Sequence, residues 1–248
     1  MNRLELHVAL LPHLREPDGD VVIVVDALRA TTSIAAAFGS GASAVIVCGS
    51  LRAAREAAAS LSAAGGRPLL CGETRARRPK GFDFGNSPVE LSRAVLRGRT
   101  LVFATTNGTR AFAGLRGARA AFAGALVNRA AALGAALAEA RAASRLTVMC
   151  AGRERGARVA LEDVAVAGAF VDLALGEGVA PTDEALVALD VWRATEGDAL
   201  AAFRASAHGR RLEALGFGDD LVFAARADAI PVAPRLSQRH GLQVLTAE

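Results

Sequence analysis

The chain has 248 residues, 52% of them hydrophobic and 22% charged, with a formal net charge of +4. That length and balance give one large α/β domain, or two small halves sharing a core, and exclude a disordered chain. No run of eighteen apolar residues occurs and no basic stretch leads into an apolar core at the N-terminus, so neither a membrane span nor a secretory signal is expected. Cys48, Cys71 and Cys150 are odd in number and widely spaced, which suits a reducing cytoplasm better than a disulfide framework. Lys80 is the single lysine; arginine supplies the other cations, a choice suited to bidentate recognition of phosphate, carboxylate or sulfonate. With aromatics at 4%, there is no stacking platform for single-stranded nucleic acid.

Val21 to Val25 is a continuous β-branched run, as in a strand buried on both faces. A helix is predicted over Ala30–Phe38, a strand over Ala44–Cys48 and a helix over Leu51–Ala64, closed by Gly65-Gly66. Leu69-Leu70 is a weaker strand, Thr100–Ala104 a stronger one, and a helix is predicted over Asn107–Leu115. Ala120–Phe122 is a short strand before an alanine-rich helix from about Arg129 to Ala143. Leu146–Cys150 is a further strand and Leu161–Leu175 a further helix. The pattern then turns helical to about Leu221, and the tail with Pro231 and Pro234 is expected to be irregular or extended. This alternation predicts a three-layer α/β/α fold with a largely parallel or mixed sheet. The strand–Asp26–Arg29–helix unit is echoed by Leu146–Cys150, Arg153 and Glu162-Asp163. Two similar halves, about 1–125 and 126–248 of a single domain 1–248, would follow from a duplication; chance likeness of two βα units is the alternative.

In such sheets ligands bind beyond the carboxyl ends of the strands, and the polar clusters fall there. Asp26-Ala27-Leu28-Arg29-Ala30-Thr31-Thr32 offers a carboxylate, a guanidinium and two hydroxyls at a helix start, either for an anion and a metal or as an ordinary helix cap. Gly72-Glu73 and Gly81-Phe82-Asp83-Phe84-Gly85-Asn86-Ser87-Pro88 form a long segment of little periodicity, in which Asn86 or Ser87 caps a helix through Val89 and Glu90 or serves a site. Thr105-Thr106-Asn107-Gly108-Thr109-Arg110 can cradle a phosphate through backbone N–H groups and the helix dipole. Cys150-Ala151-Gly152-Arg153 with Glu162-Asp163 adds two acids at a helix start, which suit the dipole or a Mg²⁺ ion. A Walker loop is absent, and no His or Cys pair has zinc spacing. Cys71 and Arg77 have the Cys-x5-Arg spacing of thiolate phosphatases, but Glu73 stands where a phosphate would sit.

Together with His208-Gly209 and Leu215-Gly216-Phe217, these segments resemble, in order and over most of the chain, the 2-phosphosulfolactate phosphatase family. One departure is visible: where the family shows Gly-Glu-Arg, Thr74 intervenes and the arginine is Arg75. The resemblance implies a Mg²⁺-dependent phosphatase that converts (R)-2-phospho-3-sulfolactate to 3-sulfolactate, a step towards coenzyme M, or acts on a related phosphorylated acid. The partner implied is a small anionic phosphomonoester, with no nucleic acid or membrane and with a homodimer left open.

On that footing Asp26, Arg29, Glu73 and Asp163 are the expected catalytic residues. Asp26, Glu73, Glu162 and Asp163 are the expected metal ligands or their supports, with Asp83 in reserve. Asn86, Ser87, Thr106, Asn107, Gly108, Thr109, Arg110 and Arg153 are expected to bind substrate. The nucleophile is open between a metal-bound hydroxide, Asp26 and Cys150. His208 is a general acid or, more simply, a surface helix residue. The rival functions are a lyase or isomerase on a phosphorylated acid and a non-catalytic anion-binding protein.

Overall fold

The structure, a computed structural model, describes residues 3–115, 117–143 and 145–247, the Arg110 side chain excepted. Its centre is β2 (Val21–Val25), buried at every position. A strand with no polar side chain has both faces to cover, and β2 uses them separately. Val21, Ile23 and Val25 join one core with α5 (Arg129–Ala140) and α6 (Leu161–Ala174), whereas Val22 and Val24 join another around α1 (Ala30–Gly39).

Among the described residues ten strands form one mixed sheet, making the fold α/β. On one side β2 pairs in parallel with β6 (Ala120–Gly124) and β7 (Arg145–Cys150); β1 (Glu5–Ala9) and β8 (Ala180–Pro181) continue that block. On the other, β5 (Thr100–Ala104) lies in parallel between β3 (Ala44–Val47) and β4 (Leu69–Gly72). The antiparallel hairpin of β9 (Pro234–Arg239) and β10 (Leu242–Ala247) joins the blocks, pairing with β3 and, through Phe122 and Arg235, with β6. The strand order therefore interleaves the two halves of the chain: β1 and β2 flank β7, and β9 and β10 separate β3 from β6.

Residues 30–38 of α1 are all buried, between Val22, Val24 and Ala123 of one block and Val45, Leu101 and Phe103 of the other. The sequence of α1, Ala-Thr-Thr-Ser-Ile-Ala-Ala-Ala-Phe, is small enough to be enclosed this way, and its three hydroxyls all find partners. The opposite face of the β3–β5–β4 block is covered by α2 (Leu51–Ala63), which buries Ala54, Ala57 and Ala58 and is capped by Ser50 Oγ accepting from Ala53 N–H at 3.1 Å.

The predicted elements fall within a few residues of those observed. Two features differ. β1 has no counterpart in the prediction, because Glu5 and His7 break its apolar run, and the two-residue β8 falls in the stretch expected to be helical. The tail takes the extended alternative: His240 and Gly241 both take left-handed φ angles (50° and 77°) and form the two-residue turn that suits a twisted hairpin. No described helix is long and apolar enough to cross a membrane.

Candidate active site

Asp26, Glu73, Thr105 and Gly152 each lie just beyond the carboxyl end of a strand: β2, β4, β5 and β7 respectively. Asp26 is held at the start of α1. Its backbone N–H donates to Thr31 Oγ1 at 3.0 Å, the Thr31 hydroxyl donates back to its carbonyl at 2.9 Å, and Asp26 Oδ1 accepts from Ala30 N–H at 3.2 Å. The Thr105–Thr109 loop closes on itself: Thr109 N–H donates to Thr105 Oγ1 at 3.2 Å and the Thr109 hydroxyl to the Thr105 carbonyl at 3.0 Å. The loop then enters α4 (Gly108–Ala113) at Gly108, which lies against Asp26.

Glu73 ties two of these loops together. Its Oε1 accepts from Thr106 N–H and its Oε2 from Ala76 N–H, both at 2.8 Å. Between Thr74 and Arg77, whose backbones exchange two hydrogen bonds, Arg75 and Ala76 take left-handed φ angles of 54° and 70°. A matching turn follows β7, with Glu154 and Arg155 at 53° and 64°, and Asn107 Oδ1 accepts from Arg155 N–H at 2.9 Å. Four non-glycine residues in this conformation, at two loops facing one cavity, are the kind of strain that collects at functional sites.

Three acids gather at the cavity floor and behind it: Asp26 at 7% exposure, with Glu162 and Asp163 at 2% each. Burial pushes the Asp26 carboxyl up to about 7; the charges of Glu162 and Glu73 add to this, and the N–H groups of Ala30 and Gly108 oppose it. Burial likewise raises Asp163 well above the carboxylate range, helped by Asp26 and Glu162 and opposed by the N–H groups of Ala27 and Gly152. Those two N–H groups occupy both Asp163 oxygens, at 2.9 and 3.0 Å, so Asp163 fastens the β2 loop to the β7 loop. Glu162 is raised by burial, eased by the N–H of its own backbone, the Ser206 hydroxyl and Arg153, and its buried Oε2 has no hydrogen-bond partner among the described residues.

The cavity in front holds about 220 Å³. Asp26 and Glu73 reach it, and so do the guanidinium-bearing residues Arg29, Arg75, Arg153 and Arg211. His208, on α9 (Ala207–Ala214), faces the same space, so it is not a free surface residue. Burial and the charges of Arg29, Arg211 and Arg153 hold its imidazole down to about 4, with Glu73 opposing, so it is neutral at pH 7. A pH effect follows. The unfolded imidazole protonates near pH 6.5 and the folded one near 4, so this contribution to stability is complete above 6.5 and is lost as pH falls through that window. Wild-type urea midpoints should therefore fall more steeply than those of His208→Gln between pH 6.5 and 4, by on the order of 1–3 kcal/mol after screening. Parallel curves would remove His208 from its buried position.

The residues expected from sequence divide into three groups. Asp26, Arg29, Glu73, Asn86, Thr106, Asn107 and Arg153 line the cavity. Gly108, Thr109, Glu162 and Asp163 support it from behind. Ser87 instead caps α3 (Pro88–Ser92), accepting from Glu90 N–H at 3.2 Å and donating to Asp220 at 2.5 Å. The reserve acid Asp83 accepts from Leu70 N–H at 2.8 Å and does not line the cavity. The Arg110 side chain lies outside the described residues.

Among the described residues no three His, Cys, Asp or Glu side chains are grouped as ligands of one ion, so the four-acid set is not assembled as a cage. The donors fit a different arrangement. Mg²⁺ takes one or two carboxylates and completes its shell with water and substrate phosphate. Asp26 and Glu73 open on the cavity, and the partnerless Glu162 Oε2 lies in the same acidic group.

Cys71 and Cys150 are fully buried, and burial raises both thiols well above their ordinary range. Cys71 Sγ donates to the Gly85 carbonyl at 2.9 Å. Neither provides a thiolate. Arg211 was missed in the sequence although it stands three residues after His208, the spacing that puts both on one helix face.

The profile of the 2-phosphosulpholactate phosphatase family matches residues 7–239. Three curated relatives, each named "Probable 2-phosphosulfolactate phosphatase", are similar over nearly their whole length. The Thermus thermophilus protein is 39% identical over 243 residues, covering 96% of this chain and 97% of the relative. A Prochlorococcus marinus protein is 39% identical over 234 residues (92% and 93%), and the Gloeobacter violaceus protein 36% over 221 residues (88% and 90%). With its acidic floor and arginine rim at the carboxyl ends of an α/β sheet, the chain belongs to the 2-phosphosulpholactate phosphatase family.

Proposed function

We propose that the protein is a Mg²⁺-dependent phosphatase that hydrolyses (R)-2-phospho-3-sulfolactate, or a related phosphorylated 2-hydroxy acid, to the hydroxy acid and inorganic phosphate. The observation that carries this reading is the pairing, in one small cavity, of Asp26 and Glu73 with Arg29, Arg75, Arg153 and Arg211. Carboxylates alone would repel a phosphate dianion. Arginines alone would bind it without assembling a cation beside it.

The reaction joins a water oxygen to phosphorus and breaks the bond from phosphorus to the substrate oxygen; the leaving oxygen takes up a proton. Phosphomonoesters resist this because the attacking oxygen must approach a dianion, and enzymes that manage it reach accelerations of up to about 10²¹-fold. Charge neutralisation and positioning supply most of that effect. Arg29 is the guanidinium best placed to do this for the phosphate. It is 3% exposed and held in direction by Asp220 and the Ala76 carbonyl, so it offers pre-oriented N–H donors to the phosphate while sharing its charge with Asp220. Arg75, Arg153 and Arg211, on three separate elements around the rim, suit a substrate with further acidic groups. Mg²⁺, held by Asp26 and Glu73, would neutralise the phosphoryl oxygens in the transition state.

The test is phosphate release from a panel of phosphorylated 2-hydroxy acids. Chelation with EDTA is expected to lower the rate at least about tenfold and added Mg²⁺ to restore it. Turnover unaffected by EDTA would remove the metal from the proposal; product formation without free phosphate would point to a lyase or isomerase.

A further inference from the structure

We propose that Asp220, near the C-terminal end of the chain, is a positioning residue for the phosphate-binding arginine Arg29. The proposal rests on the phosphatase reading above and extends it to a residue outside the cavity lining.

Arg29 NH1 donates to Asp220 Oδ2 at 2.7 Å, and Arg29 NH2 donates to the Ala76 carbonyl at 2.8 Å. The guanidinium carbon lies 4.4 Å from the centre of the Phe217 ring. The Ser87 hydroxyl donates to the other Asp220 oxygen at 2.5 Å. Both charged residues are buried, Arg29 at 3% and Asp220 at 2% exposure. A guanidinium has five N–H donors in a rigid plane, and the two named bonds with the ring stack fix that plane in three directions. Three donors remain for other acceptors, on a residue that faces the cavity.

The connections continue into the site. Ala76, whose carbonyl receives Arg29, gives its N–H to Glu73 Oε2, and Glu73 Oε1 receives Thr106 N–H. Asp220 sits on α10 (Gly218–Ala224) and Phe217 precedes that helix, so the C-terminal helices set the direction of a side chain 191 residues away. Fold stability alone gives little reason for this arrangement. A buried ion pair seldom stabilises more than an apolar pair of the same volume would. Placing the pair with its cation at the cavity wall gives it a use: a guanidinium oriented before the anion arrives.

The experiment measures inorganic phosphate affinity by calorimetry, together with kcat and KM for phosphate release, in the full-length Mg²⁺-loaded protein. Asp220→Asn is expected to bind phosphate at least about fivefold more weakly and to lose about 10- to 100-fold in kcat, while its circular dichroism stays native. Ser87→Ala, which frees one Asp220 oxygen, is expected to shift both in the same direction by a few-fold. In Arg29→Ala, added guanidinium chloride at non-denaturing concentration should recover part of the activity, and it should fail to do so in Arg29→Ala with Asp220→Ala. Folded Asp220→Asn with wild-type phosphate affinity and kcat would overturn the proposal. So would guanidinium rescue that does not need Asp220. If Asp220→Asn does not fold, Ser87→Ala and Phe217→Leu carry the same test, and wild-type values in both overturn it. Failure of the wild-type protein to bind or release phosphate would overturn the phosphatase reading itself, which separates the two failures.

Discussion

Asp26→Asn is expected to keep its fold and to release phosphate at least about 10³-fold more slowly than the wild-type protein. Asp26 is the acid on which the site converges. It ends the central strand, lines the cavity, feels both Glu73 and Glu162, and is touched by α1 and by the Gly108 loop. An amide keeps its shape and removes its charge. The loss should appear in kcat at saturating Mg²⁺, and activity within about tenfold of wild type would take Asp26 out of the chemistry.

The same substitution has a second readout, in metal-free protein. Burial raises the Asp26 carboxyl from an ordinary 3.8 to about 7. Between those values the folded state holds a proton that the unfolded state has lost, so this group weakens the fold as pH rises from 4 through 7. Asparagine does not titrate. The stability of Asp26→Asn relative to wild type should therefore climb with pH across this window, by a few kcal/mol at roughly 1.4 per pKa unit, whatever fixed offset the lost Gly108 hydrogen bond adds. Urea midpoints of both proteins in EDTA at pH 5 and pH 8 measure it. An unchanged difference would mean that Asp26 is solvated.

How much of this was legible in the sequence depended on whether the cause was local. Val21–Val25 could be read because a strand buried on both faces has no polar residue to disguise it. The hydroxyl-rich turns after β2 and β5 could be read because they follow apolar strands directly. β1 could not, since its outward Glu5 and His7 interrupt the pattern, and the β9–β10 hairpin was masked by Pro231, Pro234 and polar strand residues. In the site, Asp26, Glu73 and Arg153 were legible as charges at strand ends. The work of Asp163 was not: its partners are the backbone N–H groups of Ala27, 136 residues away, and Gly152, which no side-chain pattern encodes. Asp220 was hidden, and Phe217, though part of a segment shared with the family, gave no sign of its place against Arg29. Their neighbours look like an ordinary amphipathic helix, and only the folded chain brings them to Arg29.

Gly108→Ala should damage the site severely, though less than the loss of Asp26, and by a different route. A Cβ at position 108 would stand 2.5 Å from Ala30 Cβ and 2.6 Å from Asp26 Oδ2. Neither contact is tolerable, and neither neighbour can yield cheaply. Ala30 has no rotamer to change and sits in the first turn of a helix that is buried from Ala30 to Phe38. Asp26 is held by Ala30 N–H and by its own backbone bonds to Thr31. The methyl group must therefore push α4 away from α1 or turn the Asp26 carboxyl out of place. Close packing makes either shift cost about 1–3 kcal/mol. The effect on rate should reach the upper end of that range, because a displacement of about 1 Å in a reacting constellation costs on the order of 10²-fold. The Thr105–Thr109 loop would move with it, carrying Thr106 N–H away from Glu73 and loosening the second carboxylate as well. Thermal unfolding and kcat measured on one preparation separate the two effects: a lower melting temperature with turnover unchanged would mean that α4 can retreat without disturbing Asp26, and that the close approach of Gly108 serves packing alone.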